Sequence, residues 1–163
     1  KVNDPAATVR SPAESDGLVF LAWTTTPWTL PSNLGLAVGA AIEYALVELE
    51  EEPGQRYVVA AESVARVFAK RAHRVVGTRR GAELAGLRYT PPYAFEKPAS
   101  GDPWRVVLGD FVTTEDGTGV VHTAPTFGAD DFRVARQNGI PAILVKDEAG
   151  KDVIEKPLTH QTI

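Results

Sequence analysis

A succession of short runs rich in β-branched and other apolar residues, several of them bounded or broken by glycine-containing turns, constrains this chain more than any other feature. "GLVFLAWT" (17–24), "LGLAVG" (34–39), "YALVELE" (44–50) and "RYVVAA" (56–61) come first. "HRVVGTRRG" (73–81), "WRVVLGDFVTTEDGTGVVHTAP" (104–125) and "AILVKDEAGKDVI" (142–154) follow. Runs of this length are too short for packed helices and suit strands buried on one or both faces. "EEPGQ" (51–55), Asp116-Gly117 and Ala149-Gly150 supply turn chemistry between them. Helical periodicity is confined to two places. "ESVARVFAKRA" (62–72) sets Val64, Val67 and Phe68 on one face with Glu62 at its start and Lys70 and Arg71 at its end, as the helix dipole favours. A second helix is expected to open near residues 128–131, with acids in its first turn, to run through Arg136 and to stop before Gly139. The expected fold is mostly β with short helices, an antiparallel, barrel-like sheet instead of a βαβ series.

The chain of 163 residues is of single-domain size. Residues 1–163 are therefore read as one domain, with residues 1–15 an extended lead-in and 155–163 a trailing end, both resembling cut sites in a longer protein. With no cysteine, disulfides, a thiolate nucleophile and a Cys-based zinc site are excluded, so packing must stabilise the fold. No run reaches the roughly 20 apolar residues of a membrane span, and the first residues lack a secretory leader's apolar core, so a cytoplasmic location is expected. The net charge of −4 argues against broad adhesion to nucleic acid. The one basic cluster, "AKRAHRVVGTRR" (69–80), reads first as a solvated helix end and turn, and second as a local contact with an RNA backbone.

Two segments do not fit plain strand or helix. "WTTTPWTLPSN" (23–33) puts three consecutive threonines, a fourth close behind, two tryptophans and two prolines at the exit of an apolar run. "GTGVVHTAPTFGADDF" (117–132) runs turn, strand, loop and helix start, placing His122 at a strand end and Asp130 and Asp131 in a first helical turn. Threonine hydroxyls both donate and accept, so Thr24, Thr25 and Thr26 can orient water or ribose hydroxyls without acting as nucleophiles. Strand alternation groups Thr24 with Thr26, while Pro27 restricts Thr26 and leaves open which two face a substrate. Trp28 fits a pocket wall, a base-stacking platform or a core position, and Asn33 reads as a turn residue. Ser-His-Asp elbows, HExxH, Walker and Rossmann patterns are absent.

Together the two segments resemble the signature segments of the editing domain inserted in isoleucyl-tRNA synthetases, "WTTTPWTLP.N" and "GTG.VHTAP..G.DD". "GAELAGLRYTPPYAF" (81–95) resembles the family's link between them. Thr26 favours the isoleucine enzyme over the valyl and leucyl relatives, which typically carry "TTRP". Phe127 departs from the family, where histidine is frequent, so no side-chain role is carried over to that position.

The resemblance implies a hydrolase that clears valine from isoleucine tRNA, with valyl-adenylate left open as a second substrate. It implies Thr25, Thr26, Asp131 and His122 as catalytic residues, and Thr24, Trp28, Thr29, His122 and Asp131 as substrate-binding residues. Asp131 would hold the substrate ammonium, a charge-assisted bond of about 1.5–3 kcal/mol. His122 would be a steric gate against isoleucine or, second, a general base. No metal and no cofactor are implied. The implied partners are the 3′ acceptor end of tRNA(Ile) carrying valine and the parent synthetase's ATP-binding catalytic domain, with this chain a monomer. "HIGH"-like and "KMSKS"-like segments are missing, so amino-acid activation is not expected of this chain. The rival readings are a non-catalytic module that positions the acceptor end, or the editing domain of a valyl or leucyl synthetase.

Overall fold

Strand β2 (Leu18–Thr24) organises the molecule. Residues 18–22 are buried without alternation because the strand is covered on both faces, as the continuous apolar run requires. The computed structural model describes residues 7–14, 17–93, 98, 101–141, 145–146 and 152–153. In chain order the remaining strands are β1 (Ala7–Pro12), β3 (Gly35–Val38), β4 (Glu43–Leu49), β5 (Glu52–Ala60), β6 (His73–Arg80), β7 (Arg105–Leu108), β8 (Val120–Thr123), β9 (Val145–Lys146) and β10 (Asp152–Val153). Among the described residues three α-helices accompany them: α1 (Val64–Val67), α2 (Gly81–Leu84) and α3 (Ala129–Gln137). A 3-10 turn, Pro27–Ser32, carries the chain from β2 to β3.

The main sheet runs β6-β4-β5-β2-β8-β3-β7, with β1 on the other edge of β2. β5 pairs with the first half of β2 and β8 takes over at its end, where Trp23 lies opposite Val121. Two isolated bridges, Arg88 to Arg105 and Ala13 to Tyr89, carry the pairing from β7 back to the segment after β1. This ring of backbone contacts curls the sheet into the expected barrel-like form. The sheet is mixed, however: β2–β5, β2–β8 and β3–β7 are parallel pairs. Parallel neighbours need long crossovers, and the connections leaving β2 and β3 are long enough to provide them.

Alternation on the strands divides the core into three parts. Leu18, Phe20, Leu36, Val38, Val58, Tyr89, Val106 and Val120 fill the interior of the curled sheet. Val19, Leu21, Val47, Tyr57 and Val59 face outward and are covered by Phe68, with Val64 and Val67 of α1 packed beside it. Ala37, Val107 and Leu34 are covered by Val134 and Ala135 of α3. The helical face expected at Val64, Val67 and Phe68 is therefore the packed face, although its α-helical part is a single turn. α3 matches its expected start, its acidic first turn and its stop, with Gly139 at φ 66° beyond the end.

The sequence reading differs from the structure in smaller ways. Part of the extended lead-in is β1, fully paired along β2. The turn at "EEPGQ" is tighter than its composition suggests, since β5 already begins at Glu52. α2 sits inside the segment read only as a link. Of the strands expected in residues 142–154, β9 and β10 form a two-stranded pair. The remainder of that stretch, residues 94–97 of the link and the trailing end 155–163 lie outside the described residues.

Candidate functional site

The two motif segments are locked together before any side chain of the site is considered. Gly117 has φ 65°, and a Cβ there would stand 2.5 Å from the Trp23 ring. Gly119 has φ 73°, and its Cβ would meet that of Ala60 at 2.5 Å. Both glycines of "GTG" are thus needed for backbone conformation and for close approach. The Thr118 hydroxyl donates to the Leu21 carbonyl at 2.5 Å. Arg66 holds the loop from outside, donating to the carbonyls of Thr114, Glu115 and Gly117.

Beyond this joint the chain builds a polar corner in which proton positions follow from donor counting. The Asn33 amide nitrogen donates to the Gly35 carbonyl at 3.0 Å, which can only accept, so the amide orientation is fixed. The same nitrogen lies 2.8 Å from His122 Nδ1, which must then accept, leaving the imidazole proton on Nε2. His122 Nε2–H donates to Thr29 Oγ1 at 2.9 Å. Thr29 commits its own hydroxyl proton to the Thr26 carbonyl at 2.8 Å. In the Thr26–Thr29 hydroxyl pair at 3.3 Å, Thr26 is consequently the donor. In the Thr24–Thr26 pair, also 3.3 Å, Thr24 is the donor, while Thr24 Oγ1 accepts the Thr26 backbone N–H at 3.0 Å. Thr26 Oγ1, half-buried, retains an acceptor position.

The alternation question at the strand exit has a definite outcome. Thr24 and Thr26 share a side through their hydroxyl contact, whereas Thr25 is exposed. Thr29 is buried in the same network, so the corner holds Thr24, Thr26 and Thr29 together. Trp28 is 66% exposed, which removes the core reading and leaves its ring on the surface.

His122 is 5% exposed, and burial is the main cause that pushes its pKa down from 6.5 to about 4; the contact at Thr29 works in the opposite direction. The ring is neutral near pH 7 with both nitrogens occupied. Asp131 stands in the first turn of α3, and its Oδ2 accepts the Ala124 backbone N–H at 2.9 Å. That bond ties the helix start to the exit of β8. Burial raises the Asp131 pKa above the usual carboxylate range, the Ala124 contact lowers it, and neighbouring Asp130 adds to the rise. Asp130 is exposed and shares Arg133 with Asp110, whereas among the described residues no Lys or Arg pairs with Asp131. Among those residues no group of three His, Cys, Asp or Glu is arranged to hold a metal ion.

Sequence reasoning missed two members of the corner. Asn33, read as a turn residue, is 3% exposed and bonded through both side-chain atoms. Tyr89, in the linking segment, donates its hydroxyl to Asn33 Oδ1 at 2.6 Å. The sequence cue for Asn33 was its place at the end of "WTTTPWTLPSN"; nothing local marks Tyr89.

Comparison with known proteins gives first the class and then the family. No family model matches the chain. Its fold resembles the cytosolic leucyl-tRNA synthetase editing domain of P. falciparum, with a TM-score of 0.59 over 74% of this chain and 46% of that one at 15% identity. That likeness is one of fold, and it defines the class by architecture, a curled, mostly β domain of the fold that the leucyl-tRNA synthetase editing domain has. In sequence the chain is 44% identical to the isoleucine–tRNA ligase of Treponema denticola, over 90% of this chain and 16% of that protein. It is 46% identical to that of Mycobacterium tuberculosis strain H37Rv, over 83% of this chain and 13% of that protein. The chain belongs to the isoleucine–tRNA ligase family. It spans only about a sixth or less of the length of the relatives it matches. No described helix is long and apolar enough to cross a membrane.

Proposed function

We propose that this domain proofreads by hydrolysis, releasing valine esterified to the 3′ end of isoleucine tRNA. Isoleucyl-tRNA synthetases are themselves the standard illustration of why such a step is needed: one methylene is worth only about 1–3 kcal/mol of discrimination, so valine enters an isoleucine pocket. In the proposed reaction a water oxygen attacks the ester carbonyl carbon, the ribose oxygen leaves and takes a proton, and valine and tRNA are released. The observation that carries the reading is the Thr29–His122 hydrogen bond, which joins the two motif segments across the fold at 2.9 Å.

Around that joint each residue has a role. Thr26 Oγ1 offers the open acceptor position for the attacking water, with Thr24 and Thr29 fixing its orientation. Exposed Thr25 reaches the ester or ribose from the solvent side. Asp131, desolvated and without a cationic partner among the described residues, receives the substrate ammonium. Trp28 provides a surface ring for the terminal adenine or the pocket rim. His122, held at both nitrogens, contributes shape to the pocket, which favours the gate over the base. Partners under this reading are the acceptor end of tRNA(Ile) and the parent catalytic domain, and valyl-adenylate, carrying the same acyl group, enters the same site.

The test is single-turnover hydrolysis of misacylated tRNA by the chain. Wild type should release valine and leave the isoleucyl ester intact. Asp131→Ala should reduce valine release at least a hundredfold with the fold retained by circular dichroism. Unchanged release by that variant would remove Asp131 from the mechanism, and equal hydrolysis of both esters would end the proofreading assignment.

A further inference from the structure

We propose that Tyr89, remote from both motif segments in sequence, is a positioning residue that reinforces the proton order of the polar corner by holding the Asn33 amide against His122. The inference rests on the proofreading reading for its consequence in catalysis, but its structural content stands apart from it.

Asn33 is held at every polar atom. Its backbone N–H donates to the Leu30 carbonyl at 3.0 Å, and its carbonyl accepts the Trp104 indole N–H at 3.1 Å. Its amide nitrogen serves Gly35 and His122, and its Oδ1 accepts the Tyr89 hydroxyl. Tyr89 is fully buried, and burial raises its pKa well above 10, so at working pH it keeps its proton and donates it to the amide oxygen that faces it. Its main chain is fixed as well: its N–H donates to the Trp104 carbonyl at 3.0 Å, and it bridges to Ala13 where the sheet closes.

The order then runs in one direction: Tyr89 O–H to Asn33, Asn33 N–H to His122 Nδ1, His122 Nε2–H to Thr29, and Thr29 O–H to the Thr26 carbonyl. Were His122 to carry its proton on Nδ1, the Asn33 contact would set donor against donor. Thr29 would also have to turn its proton from Thr26 to Nε2. The Thr26 carbonyl would then keep only the Thr29 backbone N–H at 3.0 Å, and the 3-10 turn would lose one of the two bonds that close it. One hydroxyl outside the motifs thereby helps to fix the His122 tautomer and the direction of the Thr29 hydroxyl that braces the turn carrying Thr26. Removing it leaves Asn33 Oδ1 buried without its donor and weakens the hold on the amide.

Nitrogen-15 NMR of the His122 ring reads this directly. In wild type the ring should be a single Nε2–H tautomer between pH 6 and 8, and an Nδ1–H tautomer there would overturn the inference without any variant. In Tyr89→Phe, which keeps the ring and its packing, the His122 signals should move to a tautomer mixture. Valine release should fall about tenfold in kcat with KM unchanged. A variant that keeps the single tautomer and wild-type kcat overturns the inference. If wild type shows no valine release at all, the proofreading reading fails while the tautomer result still decides the role of Tyr89.

Discussion

The polar corner and the basic edge of the sheet use polar side chains in opposite ways. In the corner Thr24, Thr29, Asn33, Tyr89 and His122 are buried, and each bonds to a partner that has no substitute. Along β6, at the edge of the main sheet, most side chains are exposed or half-exposed. Arg74 pairs there with Glu48 at 3.0 Å, and Arg71, just before the strand, pairs with Glu51. Removing a corner group strands another polar group away from water, whereas an edge charge simply returns to solvent. The edge arginines have a separate use, since charge on an open strand discourages pairing with a second chain.

The largest effect expected from this contrast comes from Asn33→Ala. It leaves the Tyr89 hydroxyl and His122 Nδ1 without partners. At about 1–3 kcal/mol for each buried orphan, stability should fall by about 4 kcal/mol in urea denaturation. A loss well below 1 kcal/mol would mean that water replaces the amide and that the corner is no more demanding than the edge.

Acidification should act next. His122 has a folded pKa near 4 against an ordinary value of 6.5, so between those values the unfolded chain binds more protons and stability falls as pH falls. At about 1.4 kcal/mol per pH unit the full loss is about 3 kcal/mol, reached near pH 4. Above pH 6.5 the group contributes no slope. Asp131, with a raised pKa, acts in the opposite sense, but it is present in both chains when wild type is compared with His122→Gln. The difference between their stability–pH curves should therefore carry the His122 slope, and parallel curves would place His122 in contact with water. The smallest effect is expected for Arg74→Ala, whose thermal midpoint should match wild type within replicate scatter. A clear drop would show that the edge pairs carry stability after all.

Much of this was legible in the chain itself. Apolar runs mark β2, β4 and β8 because buried strands need continuous or alternating apolar residues. α3 was legible because its acids, apolar face and terminal glycine agree. The motif segments pointed to Thr24, Thr25, Thr26, Trp28, Thr29, His122 and Asp131, of which Thr24, Thr26, Thr29 and His122 meet in the corner. Parallel pairing within the sheet was not legible, because a strand covered on both faces reads the same whichever way its neighbours run. The packed face of α1 was legible too, but not that its α-helical part is a single turn, because the helical pattern of residues 62–72 extends further.

Sequence alone therefore determined the mostly β class of fold and the charge that leaves the edge strand solvated, since these depend on local composition and periodicity. The proposed site residues came from the resemblance of two motif segments. Only the tertiary structure decided that Asn33 is a ligand of His122, that Tyr89 belongs to the corner and that the imidazole proton sits on Nε2. Hydrogen-bond direction is set by which donors and acceptors the folded chain brings within 3 Å of one another, and residues 56 positions apart, as Asn33 and Tyr89 are, carry no local trace of that meeting.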